Sequence, residues 1–408
     1  MGALAATAAR AMAASAPRLP VSGSILIEPS TGQRLSGVNP DKELPIASAT
    51  KLMTALLTLE QARLRTVFAQ QPGYFPAPVD SQIGLVPGER MSVHDLLLAL
   101  LLPSADDSAE DLAYNLGHGS VGRFVAMMNA RARALGLRHT HYSTPSGLDT
   151  PGNYSSASDL VELASFLLRN RAFFQHAVGL PRAVLSTGNH VRSIVNTNDL
   201  LGRVPGINGV KTGHTLDAGY VLVGSATRGG MTLLSAVLGT PSASARDSST
   251  LSLLRYGFAN FALVTPVRAG SMIASARVRD QPGVKAPVIA ARTVTQVIHR
   301  GARVTRRIEL PRELVGPLAR HAVVGTLVLL ADGRQIARVR LLLAKALAAV
   351  SPATLAARFL TRPSTLVWLA LAIGVVLGVT GRVRGRMRRK AGRVRSRHDH
   401  HRHAQRSG

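Results

Sequence analysis

The 408-residue sequence contains no cysteine and few aromatic residues. The absence of cysteine excludes disulfides, a thiolate nucleophile and a Cys-ligated zinc site. Aromatic residues make up only 4% of the chain, and no stacking motif is visible, so we expect no nucleic-acid partner despite a formal net charge of +27. Much of that charge lies at one end, because residues 382–406 alone contain eleven Lys/Arg and one Asp.

The rest of the composition is that of a folded protein. Hydrophobic residues make up 46% of the chain, and a chain of this length has room for two or more packed domains with buried cores. Disorder throughout the chain is therefore excluded.

The C-terminal region contains one long apolar run. From Thr365 to Gly381, 17 consecutive residues carry no charge, which is at the short end of what spans a bilayer. Trp368 suits a membrane interface, and the basic segment follows directly. We expect a juxtamembrane linker over 346–363, a single transmembrane helix over 364–381 and a cytoplasmic tail over 382–408, with the preceding domains outside. The alternative is a buried core helix with a solvated basic tail.

An extracytoplasmic domain needs an export signal, and residues 1–19 fit one only in part. Ala14-Ser15-Ala16 is similar to a signal-peptidase site, but a basic start and a leucine-rich centre are missing. We interpret this segment as a remnant or an atypical export signal.

Residues 20–262 are predicted to form one domain with helices packed on an antiparallel sheet. Alternating apolar residues around Thr31-Gly32 predict a hairpin, and two apolar runs joined by Arg228-Gly229-Gly230 predict another. Helices are predicted around Ser48, over Ser92–Leu102, over Val121–Leu135 and in the segment that Ser158 would cap.

Residues 263–345 show a different pattern. Short alternating segments replace the helical periodicity, and Asp332-Gly333 has the composition of a hairpin turn. We therefore expect a separate small all-β domain.

Ser48 and Lys51 lie three residues apart at the start of an apolar helix. Alone, such a pair is usually a helix cap followed by a cation. On a helix, however, the two side chains share one face. A cation is disfavoured at a helix N-terminus, which would lower the pKa of Lys51 and favour the neutral amine that a general base requires.

Two other short motifs are weak by themselves. Ser104 follows the leucine-rich helix in "LLPSADDSAEDLA" and could be another helix cap. Lys211-Thr212-Gly213, on a predicted edge strand, offers a cation, a hydroxyl and a glycine that lets backbone approach a ligand.

The three motifs together, in this order, resemble the signature of penicillin-binding proteins and serine β-lactamases. The stretches "PIASATKLMTAL", "LLLPSADDSA", "HYSTPSGLD" and "NGVKTGHTLDAGYVLVGSATRGG" are similar to the low-molecular-mass D-alanyl-D-alanine carboxypeptidases of the bacterial wall. The resemblance covers roughly residues 20–262. It implies a β-lactamase/transpeptidase-like α/β fold for that domain.

The resemblance also implies a reaction. Ser48 would attack the carbonyl between the two terminal D-alanines of a peptidoglycan stem peptide, with Lys51 taking its proton and Ser104 relaying it to the leaving amine. β-Lactams would acylate the same serine. No metal and no organic cofactor is expected.

The remaining roles implied by the resemblance concern substrate binding. Lys211, Thr212 and Thr215 would hold the terminal carboxylate. The backbone N–H groups of Ser48 and of His214, just past Gly213, would form an oxyanion hole, in which each donor typically contributes about 3 kcal/mol.

Two positions depart from the family pattern. Asp106 stands where the family has asparagine; an ionised carboxylate cannot donate a hydrogen bond, and beside Lys51 it favours the ammonium form. Asn208 replaces the aspartate usual three residues before Lys211. Because of Asp106, activity could be slow, altered in substrate or lost; the change at Asn208 carries little weight.

Two alternatives stay open, the first of them because of Asp106. One is a catalytically impaired relative that binds the wall without turnover. The other is a β-lactamase, which is less favoured because the corresponding stretch, "HYSTPSGLDTPGNYSSASDL", contains no glutamate to promote deacylation and the next one is Glu162.

Overall fold

The computed structural model describes residues 15–72, 77, 80–279, 281 and 283–402. Most of the predicted export segment lies outside these residues. The chain divides into two compact units. The first extends to Pro266 and includes Thr295–Val304, and the second comprises Val267–Val294 and the chain from Thr305 onward.

The first unit is a mixed α/β domain. Its helices are α1 (Lys51–Gln61), α2 (Val93–Leu101), α3 (Asp106–Leu116), α4 (Val121–Ala134), α5 (Ala157–Asn170), α6 (Ala172–Ala177) and α7 (Ala243–Asn260). Its strands begin with β1 (Gly23–Glu28), β2 (Gln33–Val38), β3 (Val67–Ala69), β4 (Arg90–Ser92), β5 (Arg182–Leu185) and β6 (Arg192–Val195). They continue with β7 (Ile207–Thr215), β8 (Gly219–Arg228), β9 (Met231–Thr240) and β10 (Phe261–Val267).

Five of these strands form an antiparallel sheet in the order β2-β1-β9-β8-β7. Both predicted hairpins are present. The β1–β2 turn is held by the Glu28 carboxylate, which accepts hydrogen bonds from the backbone of Ser30 and Thr31, and Gly229 and Gly230 have positive φ in the β8–β9 turn. Because β7 ends the order, its outer edge is free of sheet pairing in the described part of the chain.

One predicted helix begins at the cap that the sequence indicates, and another is capped by a different residue. The Ser92 Oγ accepts from the Asp95 N–H and begins α2, which is buried along nearly its whole length. The expectation that Ser158 caps the fifth helix is wrong. Ser156 is the cap, because its Oγ accepts from the Asp159 N–H and the helix begins before Ser158.

The second unit is built on a six-stranded sheet. The strands after β10 are β11 (Met272–Val278), β12 (Lys285–Ala290), β13 (Val294–His299), β14 (Val304–Glu309), β15 (Glu313–Leu314), β16 (Val323–Ala331) and β17 (Arg334–Leu343). The sheet has the order β14-β16-β17-β12-β11-β15. Strand β13 is not part of it: its residues from Thr295 onward belong to the first unit, where the strand pairs with β10. Asp332 and Gly333, both with positive φ, turn the chain between β16 and β17.

Two helices follow β17: α8 (Pro352–Thr361) and α9 (Pro363–Arg402). Within α9, Pro363–Arg388 is long and apolar enough to cross a membrane, with a mean hydropathy of 2.1 in its most apolar window. That window is not buried against the rest of the protein. A buried core helix, the alternative considered from the sequence, does not describe this segment.

Candidate active site

Ser48 lies in a tight 3-10 turn, Ala47–Thr50, that leads directly into α1. Ala47 has a φ of +49°, in the left-handed region that few non-glycine residues adopt. The cap positions of the turn and of α1 belong to Ile46 and Thr50, so Ser48 is not a helix cap. Its half-buried side chain is instead directed to Lys51, whose ammonium donates to the Ser48 Oγ at 2.8 Å.

Lys51 is completely buried and makes two other hydrogen bonds. Its Nζ donates to the Asp106 carboxylate at 2.6 Å and to the Ser146 carbonyl oxygen at 2.8 Å. With Ser48, these groups supply three acceptors for the three N–H groups of an ammonium. Burial lowers the pKa of Lys51, and the Asp106 carboxylate opposes that effect. The direction is the one expected from the sequence, but its main cause is burial.

Ser104 and Asp106 lie where α2 gives way to α3. Ser104 has a φ of +70° and is 5% exposed, and its Oγ has no hydrogen-bond partner among the described residues. Ala105 occupies the cap position of α3, so Ser104 is not a cap either. Asp106 is the first residue of α3, where the helix dipole stabilises a negative charge.

Strand β7 carries the third motif along the edge of the sheet. Lys211 is buried, and its Nζ donates to the Thr212 carbonyl oxygen at 3.1 Å. Burial and the nearby Lys51 hold the pKa of Lys211 well below its ordinary value. The hydroxyl of Thr212 lies 2.5 Å from that of Thr197, which orients it.

Gly213 brings the backbone of β7 against the Ser48 turn. A Cβ on Gly213 would lie 3.1 Å from both the Ser48 nitrogen and the Ile46 carbonyl oxygen, a tight contact that would push the Ser48 turn away from the strand. The side chains of the next two residues have contacts of their own. His214 is exposed and stacks on Tyr220 with ring centroids 4.0 Å apart, and the Thr215 Oγ1 accepts from the Ala218 N–H in the following turn.

Sequence reasoning assigned no role to two groups that the structure places at Lys51. The first is the Ser146-Gly147 turn, which packs against the Ala47–Thr50 turn that carries Ser48. Gly147 has a φ of +90°, and a Cβ there would lie 2.0 Å from the Ala47 carbonyl oxygen. The adjacent serine and glycine in "STPSGLD" indicate a turn, but nothing in the stretch indicates its contact with Lys51.

The second group is the carboxyl of Glu110, one turn after Asp106 on α3. It accepts a hydrogen bond from the Ser146 Oγ at 3.3 Å. Burial raises the pKa of Glu110 to about 7. The four-residue spacing from Asp106 was the available signal, because it places both carboxyls on one helix face.

The arrangement has the parts required for acyl transfer. A hydroxyl lies beside a buried amine that can take its proton, and the backbone of a glycine-containing edge strand lies alongside. Lys211, on that strand, is a second buried lysine beside Lys51. Its amine is suited to bind the carboxylate of a substrate. The arrangement therefore suits a covalent reaction at the carbonyl of a small acidic peptide.

Comparison with known proteins identifies the same chemistry. The family model for D-alanyl-D-alanine carboxypeptidase matches residues 10–242. The chain is 32% identical to D-alanyl-D-alanine carboxypeptidase DacA of Haemophilus influenzae, over 80% of this chain and 84% of the relative. It is 31% identical to DacA of Escherichia coli strain K12, over 80% of this chain and 83% of the relative.

Solved structures agree with the sequence comparison. Penicillin binding protein 5 from Haemophilus influenzae superposes with a TM-score of 0.69 at 30% identity, covering 82% of this chain and 99% of that protein. The Streptomyces K15 DD-transpeptidase superposes with a TM-score of 0.57 at 34% identity, covering 60% of this chain and all of that protein.

Proposed function

Because the chain belongs to the D-alanyl-D-alanine carboxypeptidase family of serine peptidases, we propose that it removes the terminal D-alanine from peptidoglycan stem pentapeptides through an acyl-enzyme on Ser48. The observation that carries this proposal is the 2.8 Å contact between the Lys51 amine and the Ser48 hydroxyl, with Gly213 of β7 against the same turn.

Acylation begins with neutral Lys51. It takes the proton of the Ser48 hydroxyl while the Oγ attacks the carbonyl carbon between the two D-alanines. Ser104, which has a buried and unpartnered Oγ, passes the proton to the leaving amine as the peptide bond breaks. Water then hydrolyses the ester and restores the serine.

The edge of β7 binds the substrate. The carboxylate of the terminal D-alanine binds Lys211 and Thr212, with Thr215 at the end of the same strand as a further hydroxyl for it. The backbone N–H groups of Ser48 and His214 receive the oxyanion, which the close approach at Gly213 allows. β-Lactams acylate Ser48 in the same position.

The apolar part of α9 anchors the protein in the cell membrane. Its length and hydropathy support a single span, and the Lys/Arg-rich segment after it supports a cytoplasmic tail. In this topology the catalytic unit and the small β-sheet unit lie outside the membrane, where peptidoglycan is found.

The test is covalent labelling of the full chain in detergent. Incubation with benzylpenicillin, followed by intact-mass measurement, should show one adduct. Incubation with a peptide that ends in D-Ala-D-Ala should release D-alanine. Ser48→Ala should abolish both, whereas Ser248→Ala, at an exposed position of α7, should leave both unchanged.

The outcomes separate the alternatives. An adduct that forms without release of D-alanine would favour the impaired, wall-binding relative. Rapid loss of the adduct with hydrolysed penicillin would favour the β-lactamase. An adduct on Ser48→Ala would exclude Ser48 as the nucleophile.

A further inference from the structure

Glu110 is a buried carboxyl group to which the acylation mechanism assigns no role. Its side chain lies one helical turn from Asp106 and is only 9% exposed. Glutamate is rarely buried to this extent unless a partner compensates it. In this site the compensating contact is the Ser146 hydroxyl, which donates to the Glu110 Oε1 at 3.3 Å.

The Ser146 contact connects Glu110 to the base of the reaction. The carbonyl oxygen of the same serine accepts from the Lys51 Nζ at 2.8 Å, so one residue touches both groups. The turn is also fixed at its other positions, because Thr54 donates to the Pro145 carbonyl oxygen at 2.6 Å and the Gly147 N–H donates to the Thr144 hydroxyl at 2.9 Å. Glu110 fixes the Ser146 side chain itself.

Charge provides a second connection. Three carboxyls of α3 act on buried Lys51: Asp106 in direct contact, Glu110 one turn further along the helix and, least strongly, Asp107. Each carboxylate favours the ammonium form of the lysine. A site with asparagine and a neutral residue in place of Asp106 and Glu110 would hold the lysine proton less strongly.

Few other charges act on Glu110. The elements packed on α3 are α1, α2, α4 and β3. Lys51 of α1 and Asp106 of its own helix are the charges that act on it. Other titratable groups of these elements have contacts of their own or face solvent. His94 bonds Asp95 on α2, Arg131 of α4 bonds Glu60 of α1, Arg123 bonds the Gly117 carbonyl oxygen and Arg133 is exposed. On α3, Asp107 and Asp111 accept from the backbone N–H groups of Leu85 and Gln71. The Pro145–Gly147 turn has no titratable side chain.

We propose that Glu110 is a positioning residue for acylation: it holds the Ser146 carbonyl oxygen against Lys51 and, as the second carboxyl beside that lysine, raises the pH at which Lys51 becomes a base. The proposal rests on the proposed function, because it concerns the same base and the same nucleophile.

The two parts of the proposal predict different effects of two variants. Glu110→Gln keeps a carbonyl oxygen for the Ser146 hydroxyl but cannot ionise. Since the Glu110 carboxyl of the wild type is ionised above about pH 7, the acid limb of acylation should move about one pH unit lower in this variant, a tenfold faster rate on the limb. Glu110→Ala removes the contact and should lower the plateau rate about tenfold.

The experiment measures the second-order rate of benzylpenicillin acylation of the full chain from pH 5 to 10. Ser146→Ala keeps the carbonyl oxygen and removes only the hydroxyl, so it should reproduce the lower plateau of Glu110→Ala. The double variant should be no slower than either single one, since both break one contact. Glu162→Gln, an exposed change on α5, should leave the profile unchanged.

Two results would overturn the proposal. A Glu110→Gln profile that coincides with that of the wild type would remove the charge effect, and additive losses in the double variant would remove the link through Ser146. These failures are distinct from failure of the proposed function. The latter requires that the wild type not be acylated at all, which the same measurement shows directly.

Discussion

At the scale of single residues, Asp106 is the feature that separates this site from the family pattern. Its carboxylate contacts Lys51 at 2.6 Å in a buried position. A buried ion pair of this kind holds the lysine as an ammonium, because separating the charges would leave one of them unpaired. The same contact that fixes the position of the base therefore opposes its use as a base.

Asp106→Asn should accelerate acylation. The amide oxygen can still accept from Lys51, the amide N–H₂ adds a donor toward substrate, and the loss of the negative charge lowers the pKa of Lys51. A lowering by about one unit corresponds to an acylation rate about tenfold higher at pH 7. The measurement is the rate of benzylpenicillin adduct formation.

Asp107→Asn is the matched control for this prediction. Its carboxylate binds the backbone N–H groups of Ile83 and Leu85 and not Lys51. Because its charge acts on Lys51 without a hydrogen bond and more weakly than that of Asp106, Asp107→Asn should accelerate acylation far less than Asp106→Asn. If Asp106→Asn were slower than the wild type, Asp106 would act as an acid in the reaction and the effect assigned to its charge would be wrong.

Some residues of the candidate site could be predicted from the sequence and others could not. Ser48, Lys51 and Lys211 stand in short motifs whose order is diagnostic, and the fold places all three in one region. Ser146 lies 95 residues from Lys51 and acts through a backbone carbonyl, which every residue has. No local pattern distinguishes such a contact, so it can be found only from the fold.

At the scale of elements, helix α3 carries several buried carboxyl side chains. Glu110 and Asp111 both have pKa values raised to about 7, chiefly by burial. In the unfolded chain such carboxyls lose their protons near pH 4. Between about pH 4 and 7 the folded state therefore binds more protons than the unfolded state, and the contribution of these groups to stability falls as pH rises.

We expect Glu110→Gln and Asp111→Asn to stabilise the catalytic unit increasingly between pH 4.5 and 7. The gain relative to the wild type should reach up to about 3 kcal/mol for each change and level off above pH 7. Chemical denaturation followed by circular dichroism at several pH values measures it. A gain that is the same at pH 5 and pH 7 would contradict burial of an ionisable group as the cause, and Glu162→Gln, which is exposed, serves as the control.

Elements with strong local signals were predicted well. The leucine-rich α2, the two hairpins of the catalytic sheet and the β16–β17 hairpin follow from periodicity and turn residues. The cap of α5 was misplaced because Ser156 and Ser158 are both good cap residues. Long-range pairing decides between them, since the Ser155 N–H bonds the Leu44 carbonyl oxygen and the Ser158 N–H bonds that of Pro40.

At the scale of the whole molecule, the positive charge lies mainly outside the catalytic domain. Residues 20–262 contain 19 Lys/Arg and 17 Asp/Glu, whereas residues 263–345 contain fifteen and four. Residues 382–408 add eleven and one. The net charge is therefore a property of the small β-sheet unit and the tail, and it gives no information about the substrate.

The proposed membrane anchor leads to a prediction about how the protein is attached to membranes. A variant that ends at Val350 lacks α8 and α9 and should be released from membranes, whereas the full chain should stay bound in high salt and at alkaline pH. Both should form the benzylpenicillin adduct, since Ser48, Lys51 and Lys211 are unchanged. Fractionation of cells that export each form, followed by labelling, measures both properties.

The basic tail predicts the orientation of the proposed anchor. Replacing the arginines between 382 and 397 with glutamine should weaken the preference for a cytoplasmic tail, because Lys/Arg next to a span determines which side it occupies. An epitope at the C-terminus should be reached by antibody only after permeabilisation in the wild type, and partly without it in the variant. An epitope accessible in intact wild-type cells would reverse the topology and place the catalytic unit on the side without peptidoglycan.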